Sequence, residues 1–186
     1  MRFNEHYNFT GRHAVLSPSK YHWINYNEDK FMAVYARRLA QKRGIELHDF
    51  AQRCIKLGQK LPRSRRALNR YVNDAIGFKM SPEQILMHSP NAFGSADAVS
   101  FRNNLLRIHD LKTGTSRVFM HQLEVYAALF CLEYAHQPNK IDIELRIYQG
   151  GEIIQHIPEP IEIRRIMDKI LRFDKKIEEM NIVLED

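Results

Sequence analysis

Between Asn139 and Gln149 the chain alternates without a break: Ile141, Ile143, Leu145 and Ile147 are apolar, while Asp142, Glu144 and Arg146 are charged. Successive side chains on a strand leave opposite faces, so this stretch reads as a strand with one face buried and the other half-exposed. Its surroundings decide what sheet it joins. Gln149-Gly150-Gly151-Glu152 is a hairpin signal into a strand over 153–157. Upstream, Val118, Leu123, Val125, Tyr126, Leu129, Phe130 and Leu132 recur at helical spacing to about Ala135, which puts an apolar helix immediately before the strand. Earlier still, 84–88, 94–101 and 105–112 read as strands, with Arg102-Asn103-Asn104 as a turn and Thr113-Gly114 as a stop. The expected architecture is α/β: a three-stranded antiparallel meander, a helix, then further strands. Together these make a central mixed sheet flanked by helices. A last amphipathic helix covers 159–180.

The N-terminal third reads as helical. Ser17-Pro18-Ser19 is a helix-start signature, and a first helix is expected over 18–42, with Gly44 as a break. A second covers 45–58, and after the Leu61-Pro62 turn a third covers 67–76, ended by Gly77. At 186 residues the chain fits one domain. It is expected to divide into a helical wall (1–76), a sheet core (77–157) and a C-terminal helix (158–186).

Charge is unevenly placed. The formal net charge is +6, yet between Arg37 and Arg70 eleven Lys/Arg face only Glu46 and Asp49. Such a run is by default a solvated face, but the tyrosines that flank it, Tyr35 and Tyr71, and its placement around the His48 helix favour a groove that tracks phosphates. Its candidate contacts are Arg37, Arg38, Lys42, Arg43, Arg53, Arg63, Arg65 and Arg66. No apolar run is long enough to cross a bilayer, and the start lacks a secretory signal, so the expected location is the cytoplasm, with no membrane partner. Two cysteines, Cys54 and Cys131, cannot hold an iron–sulfur cluster or a thiolate zinc site. A metal here would take oxygen and imidazole ligands. There is no Walker A motif, so no ATP-driven motor is expected.

Asp110 and Lys112 lie two apart on one expected strand, so both leave the same face while Leu111 points into the core. Asp97 lies on the neighbouring strand, and the intervening turn brings it toward Asp110. Two converging carboxylates make a site for a hard divalent cation, and Lys112 adds positive charge where a phosphate or an attacking hydroxide would sit.

The series Gly94-x-x-Asp97, Asp110-x-Lys112-Thr113-Gly114 and Gln122-x-x-x-Tyr126 resembles the core of the PD-(D/E)XK nuclease superfamily, most closely its RecB-like exonuclease branch. Leu16-Ser17-Pro18-Ser19 resembles that branch's opening signature, and Gly44-x-x-x-His48 its glycine-and-histidine helix. The resemblance runs from about Leu16 to Tyr126 and implies a restriction-endonuclease-like core. It implies that Asp97, Asp110 and His48 hold Mg²⁺ or Mn²⁺, with the Leu111 carbonyl completing the shell. Lys112 would then orient water and stabilise the developing charge, while Gln122 and Tyr126 contact DNA or brace Lys112. Glu83 would be an accessory acid, and His109 and His121 would flank the site or lie near DNA. The implied activity is hydrolysis of DNA, as an exonuclease rather than an endonuclease, in recombination or repair of a phage or mobile element. A single-strand annealing protein or further copies of the chain are the implied partners. The competing expectation is a DNA-end-binding or nuclease-regulating module on the same fold, without turnover.

Overall fold

The structure is a computed structural model that describes residues 4–11 and 13–185, with side chains as far as Asn181. Two compact units emerge, Met1–Arg43 and Gly44–Asp186. Their boundary falls inside the segment expected as one helical wall.

In the first unit, Pro18–Asn25 forms 3₁₀ turns rather than the start of a long α-helix. Helix α1 (Glu28–Leu57) begins only afterwards. Asn27 caps it: the Lys30 N–H donates to Asn27 Oδ1 at 3.0 Å, and Glu28 and Asp29 place negative charge on the first turn. The expected break at Gly44 does not occur. Glycine inside a helix costs only about 1 kcal/mol relative to alanine, and here it has a packing role described below. Helix α2 (Ala67–Gly77), within the second unit, follows expectation.

The second unit is α/β. Strands β1 (Ser81–Ser89), β2 (Ala92–Arg102) and β3 (Leu105–Lys112) form the antiparallel meander; helix α3 (His121–Glu133) then crosses to β4 (Asp142–Gln149), and β5 (Glu152–His156) lies beyond it. The sheet order is β1-β2-β3-β4-β5. Only the β3–β4 pair is parallel, as a helical crossover requires. Both residues of the β2–β3 turn, Asn103 (φ 50°) and Asn104 (φ 62°), are left-handed, the geometry of a two-residue turn whose twist matches the strands.

Alternation sends the two sides of the strands into two cores. Leu106, Ile108, Leu145 and Ile147 pack with Leu123, Ala127 and Phe130 of α3 and with Ile163 of helix α4 (Pro160–Glu185). Truncating one of these fully buried side chains, such as Leu145→Ala, costs about 2–5 kcal/mol. On the opposite side Ala98, Leu111 and Tyr148 pack with Ala51, Cys54 and Ile55 of α1 and with Tyr71, Val72 and Ala75 of α2. The charged face of β4 keeps the expected alternation, with Asp142 exposed and Glu144 and Arg146 partly buried, and Tyr148 is the one residue of that face fully covered. Arg146 and Arg107 both bond Glu144 Oε1, at 3.1 and 3.0 Å, with side-chain exposures of 17%, 22% and 14% for Arg146, Arg107 and Glu144. Helix α4 is pinned by Asp174 Oδ1, which accepts bonds from the Ser89 hydroxyl (2.7 Å) and the Asn91 amide (3.0 Å). Among the described residues no helix is long and apolar enough to cross a membrane.

Candidate active site

The β2–β3 ladder runs from Arg102↔Leu105 to Ala98↔His109 and stops there. The β1–β2 ladder skips one opposed pair, Glu83 and Asp97, between Pro82↔Ala98 and Gln84↔Ala96. This local failure of pairing makes the site. The Leu111 N–H, left without a β2 ladder partner, donates instead to Asp97 Oδ2 at 2.9 Å. Glu83 adopts φ 51°, a conformation that costs a non-glycine residue about 1–2 kcal/mol, and its Oε2 accepts the Ser95 hydroxyl at 3.0 Å.

Helix α1 supplies the imidazole. His48 Nδ1 lies 3.4 Å from Asp97 Oδ2, and one ligand atom each from His48, Glu83 and Asp97 lie within 4.8 Å of one another. Gly44, one turn earlier, lets α1 come this close: a Cβ there would stand 3.0 Å from Thr113 Oγ1, the residue after Lys112. A second glycine works the same way. A Cβ on Gly94 would meet the Tyr126 ring at 3.0 Å.

Asp110 is buried, as its place on a strand covered on both faces dictates. Its Oδ1 accepts the Lys112 ammonium at 3.0 Å, and the same ammonium donates to Gln122 Oε1 at 3.0 Å. Lys112 is thus held from two sides. Asp110 Oδ2 is buried and has no hydrogen-bond partner. A bare carboxylate oxygen away from water costs the desolvation of a charged group, and a cation would offset that cost.

The electrostatics agree. Burial first, and then the Asp110 charge, push the Asp97 carboxyl up to about 6, against the opposing pull of His48 and the Leu111 N–H. Asp110 is raised as well, by burial, although Lys112 and His48 lower it. Two carboxylates crowded out of water resist joint ionisation, and a divalent cation relieves them. The donor set, carboxylate oxygens with one imidazole, suits Mg²⁺ or Mn²⁺.

The side chains expected in one site are thus brought together in part. His48 and Asp97 join Glu83, which has closer company in the trio than the accessory role expected of it. Asp110 stands beside them and Gln122 braces Lys112. Tyr126 does not reach Lys112; its hydroxyl donates to the Ser95 carbonyl at 2.6 Å and so steadies the strand that carries Asp97. Leu111 contributes its N–H to Asp97 and its side chain to the core. His109 does not flank the site: it is fully buried, on the opposite side of β3. His121 is exposed and pairs with Glu124 at 3.0 Å. Arg53, Arg63, Arg65 and Arg66 are exposed in the second unit, and Arg37, Arg38, Lys42 and Arg43 in the first.

Sequence reasoning missed Arg117. It lines, with Lys112, Gln122 and Phe119, a cavity of about 400 Å³ that opens beside the lysine. The Gln149 amide secures that loop by donating to the Gly114 and Ser116 carbonyls at 2.7 and 2.9 Å. Only the Lys/Arg count hinted at it. Compared with known proteins, the chain matches no protein-family model, no curated protein and no solved structure.

Proposed function

We propose that the chain is a divalent-metal-dependent DNA nuclease of the PD-(D/E)XK type, acting as an exonuclease in recombination or repair of a phage or mobile element. The observation that carries this reading is the unpartnered Asp110 Oδ2 beside the His48–Glu83–Asp97 trio, with Lys112 braced next to it. The mixed sheet, with β4 taking the position next to β3 after the α3 crossover, supports a restriction-endonuclease-like core.

His48, Asp97, Asp110 and Glu83 would hold Mg²⁺ or Mn²⁺, which when bound supplies Lewis acidity at a phosphoryl oxygen and lowers the pKa of water. The chain's own part is positioning and charge. Lys112, fixed by Asp110 and Gln122, presents its ammonium where negative charge develops on the phosphorus oxygens and orients the attacking water. Arg117 and the wall of the adjoining cavity receive the backbone phosphates. A single-strand annealing protein or further copies of the chain remain the proposed partners.

The test is release of nucleotides from end-labelled linear and closed circular DNA, with Mg²⁺, with Mn²⁺ and with chelator, for wild type, Lys112→Ala and Asp110→Ala. Metal-dependent degradation lost in both variants, with the circle spared, is the expected result. Absence of cleavage on every single- and double-stranded substrate, with DNA binding unchanged in both variants, would sink the catalytic reading and leave a DNA-end-binding module.

A further inference from the structure

The first unit holds a cavity of about 590 Å³, built by residues between His13 and Gln41. That volume falls in the ~300–1,000 Å³ range of small-ligand sites. Its walls carry Trp23, Tyr26, Phe31 and Tyr35, all half-buried. The described part of this unit contains no buried large apolar side chain, so these rings surround a space instead of filling a core. Phe31 and Tyr35 stand one turn apart on α1 with ring planes 4° from parallel and centroids 6.4 Å apart. The Trp23 indole is fixed by donating to the Ser17 carbonyl at 3.1 Å.

Charge decides which ligand fits. An aromatic box suits a quaternary or ammonium cation, but this one is lined by Lys20, Arg37 and Arg38 and by no carboxylate. The Tyr26 ring already carries the Lys30 ammonium at 4.4 Å. The Arg38 guanidinium is engaged with the His13 carbonyl at 2.9 Å, which leaves Lys20 and Arg37 as the phosphate contacts. A flat aromatic ligand that carries negative charge satisfies both parts of the lining, and a nucleotide is that ligand.

We propose that this cavity binds an unpaired nucleotide of single-stranded DNA, its base against the aromatic wall and its phosphate on Lys20 and Arg37. A base inside a duplex has both faces covered by its neighbours, so the cavity selects unpaired strand. The choice of DNA as the polymer rests on the nuclease reading; the cavity itself does not depend on metal or on turnover.

Trp23 is the chain's only tryptophan, so intrinsic fluorescence reports on this wall directly. The full chain carrying Asp110→Asn, in chelator so that nothing is cut, is titrated with an oligothymidylate, with a closed duplex lacking unpaired ends, and with an apolar dye. The expected result is saturable quenching by the oligothymidylate and little by the duplex. Phe31→Leu and Tyr35→Leu should each weaken it by about tenfold. Arg37→Gln should reduce the slope of log affinity against log salt by about one. Oligothymidylate binding seen by anisotropy without quenching, or equal quenching by the duplex, would overturn the proposal. So would a dye that fills the cavity and is not displaced by oligothymidylate, the mark of a docking face for an apolar protein segment. Hydrolysis without quenching would sink the cavity's role alone. Quenching without hydrolysis in any metal would sink the nuclease reading and leave the cavity standing.

Discussion

His109 and Asp110 are consecutive on β3 and leave it in opposite directions. Both are buried, at 0% and 4% exposure, and each has one buried polar atom without a partner, His109 Nε2 and Asp110 Oδ2. The surroundings differ in sign. The Tyr148 hydroxyl donates its one proton to Asp74 at 2.7 Å, so at the 3.2 Å contact His109 Nδ1 is the donor and Nε2 carries the bare lone pair. The Phe78 ring stands edge-on to the imidazole, with the Arg107 and Arg146 guanidiniums over it at 4.4 and 5.1 Å. A cation would be repelled there. Asp110 instead shares its surroundings with the Asp97 carboxylate as well as with Lys112 and His48, and its bare Oδ2 is an acceptor that a cation can satisfy. An unpaired buried atom is therefore no site by itself; the charge gathered around it decides whether it waits for a ligand or is tolerated for packing.

The sharpest way to break this contrast is to neutralise each residue with a near-isosteric amide. Asp110→Asn removes the charge that aims Lys112, and nucleotide release should fall by about 10³-fold, on the scale of losing a preorganised electrostatic contact. His109→Gln should stay within a fewfold of wild type in the same assay, since it touches neither Lys112 nor the trio. Equal losses in both would mean that the two faces of β3 are one machine.

The next effect is on melting. Mn²⁺ or Mg²⁺ at a hundred times its dissociation constant should stabilise the folded chain by about 2.7 kcal/mol. Asp97→Asn should abolish the shift in melting temperature and His109→Gln should keep it. Glu83→Gln tests the trio, because a shift that survives it would return Glu83 to the accessory role. A metal shift of equal size in Asp97→Asn would place the ion elsewhere.

Much of this was legible in the sequence, for physical reasons that also mark where legibility ended. Period-two alternation and the Asn103-Asn104 turn are local signals, so the meander and the placement of Asp97 opposite Asp110 could be read directly. The path of α1 through Gly44 could not, because what makes a glycine useful there is Thr113, sixty-nine positions away. Glu83 was visible as a residue but not as a left-handed break in β1, since nothing in Pro82-Glu83-Gln84 announces positive φ. The burial of His109 follows from β3 being covered on both faces, and that cover is supplied by α2 and Phe78. The restriction of Tyr126 to Ser95 depends on the ring's fit against Gly94. In each case the missing information is tertiary.

A third effect is a pH dependence whose sign differs on the two faces. Burial first, and then Arg146 and Arg107, hold His109 down to about 3 from an ordinary 6.5. Below pH 6.5 the unfolded chain takes up a proton that the folded chain refuses, so this histidine's contribution is intact above 6.5. It declines by about 1.4 kcal/mol per pH unit on acidification until the folded pKa is reached. Asp97 runs the other way in chelator. Its folded carboxyl titrates near 6 against an ordinary 3.8, so acidification from pH 6 toward 4 favours the folded chain, and Asp110 is raised in the same direction. Asp74, Tyr148, Arg107 and Arg146 face the imidazole from α2, β3 and β4 and are unchanged in His109→Gln, so the difference between that variant and wild type isolates the histidine. Urea unfolding in chelator should show His109→Gln gaining on wild type as pH falls from 6.5 to 4. Asp97→Asn should lose ground over pH 6 to 4. Parallel curves for wild type and His109→Gln would mean that the imidazole takes a proton in the folded state, and the neutral, sealed side of the comparison would fall.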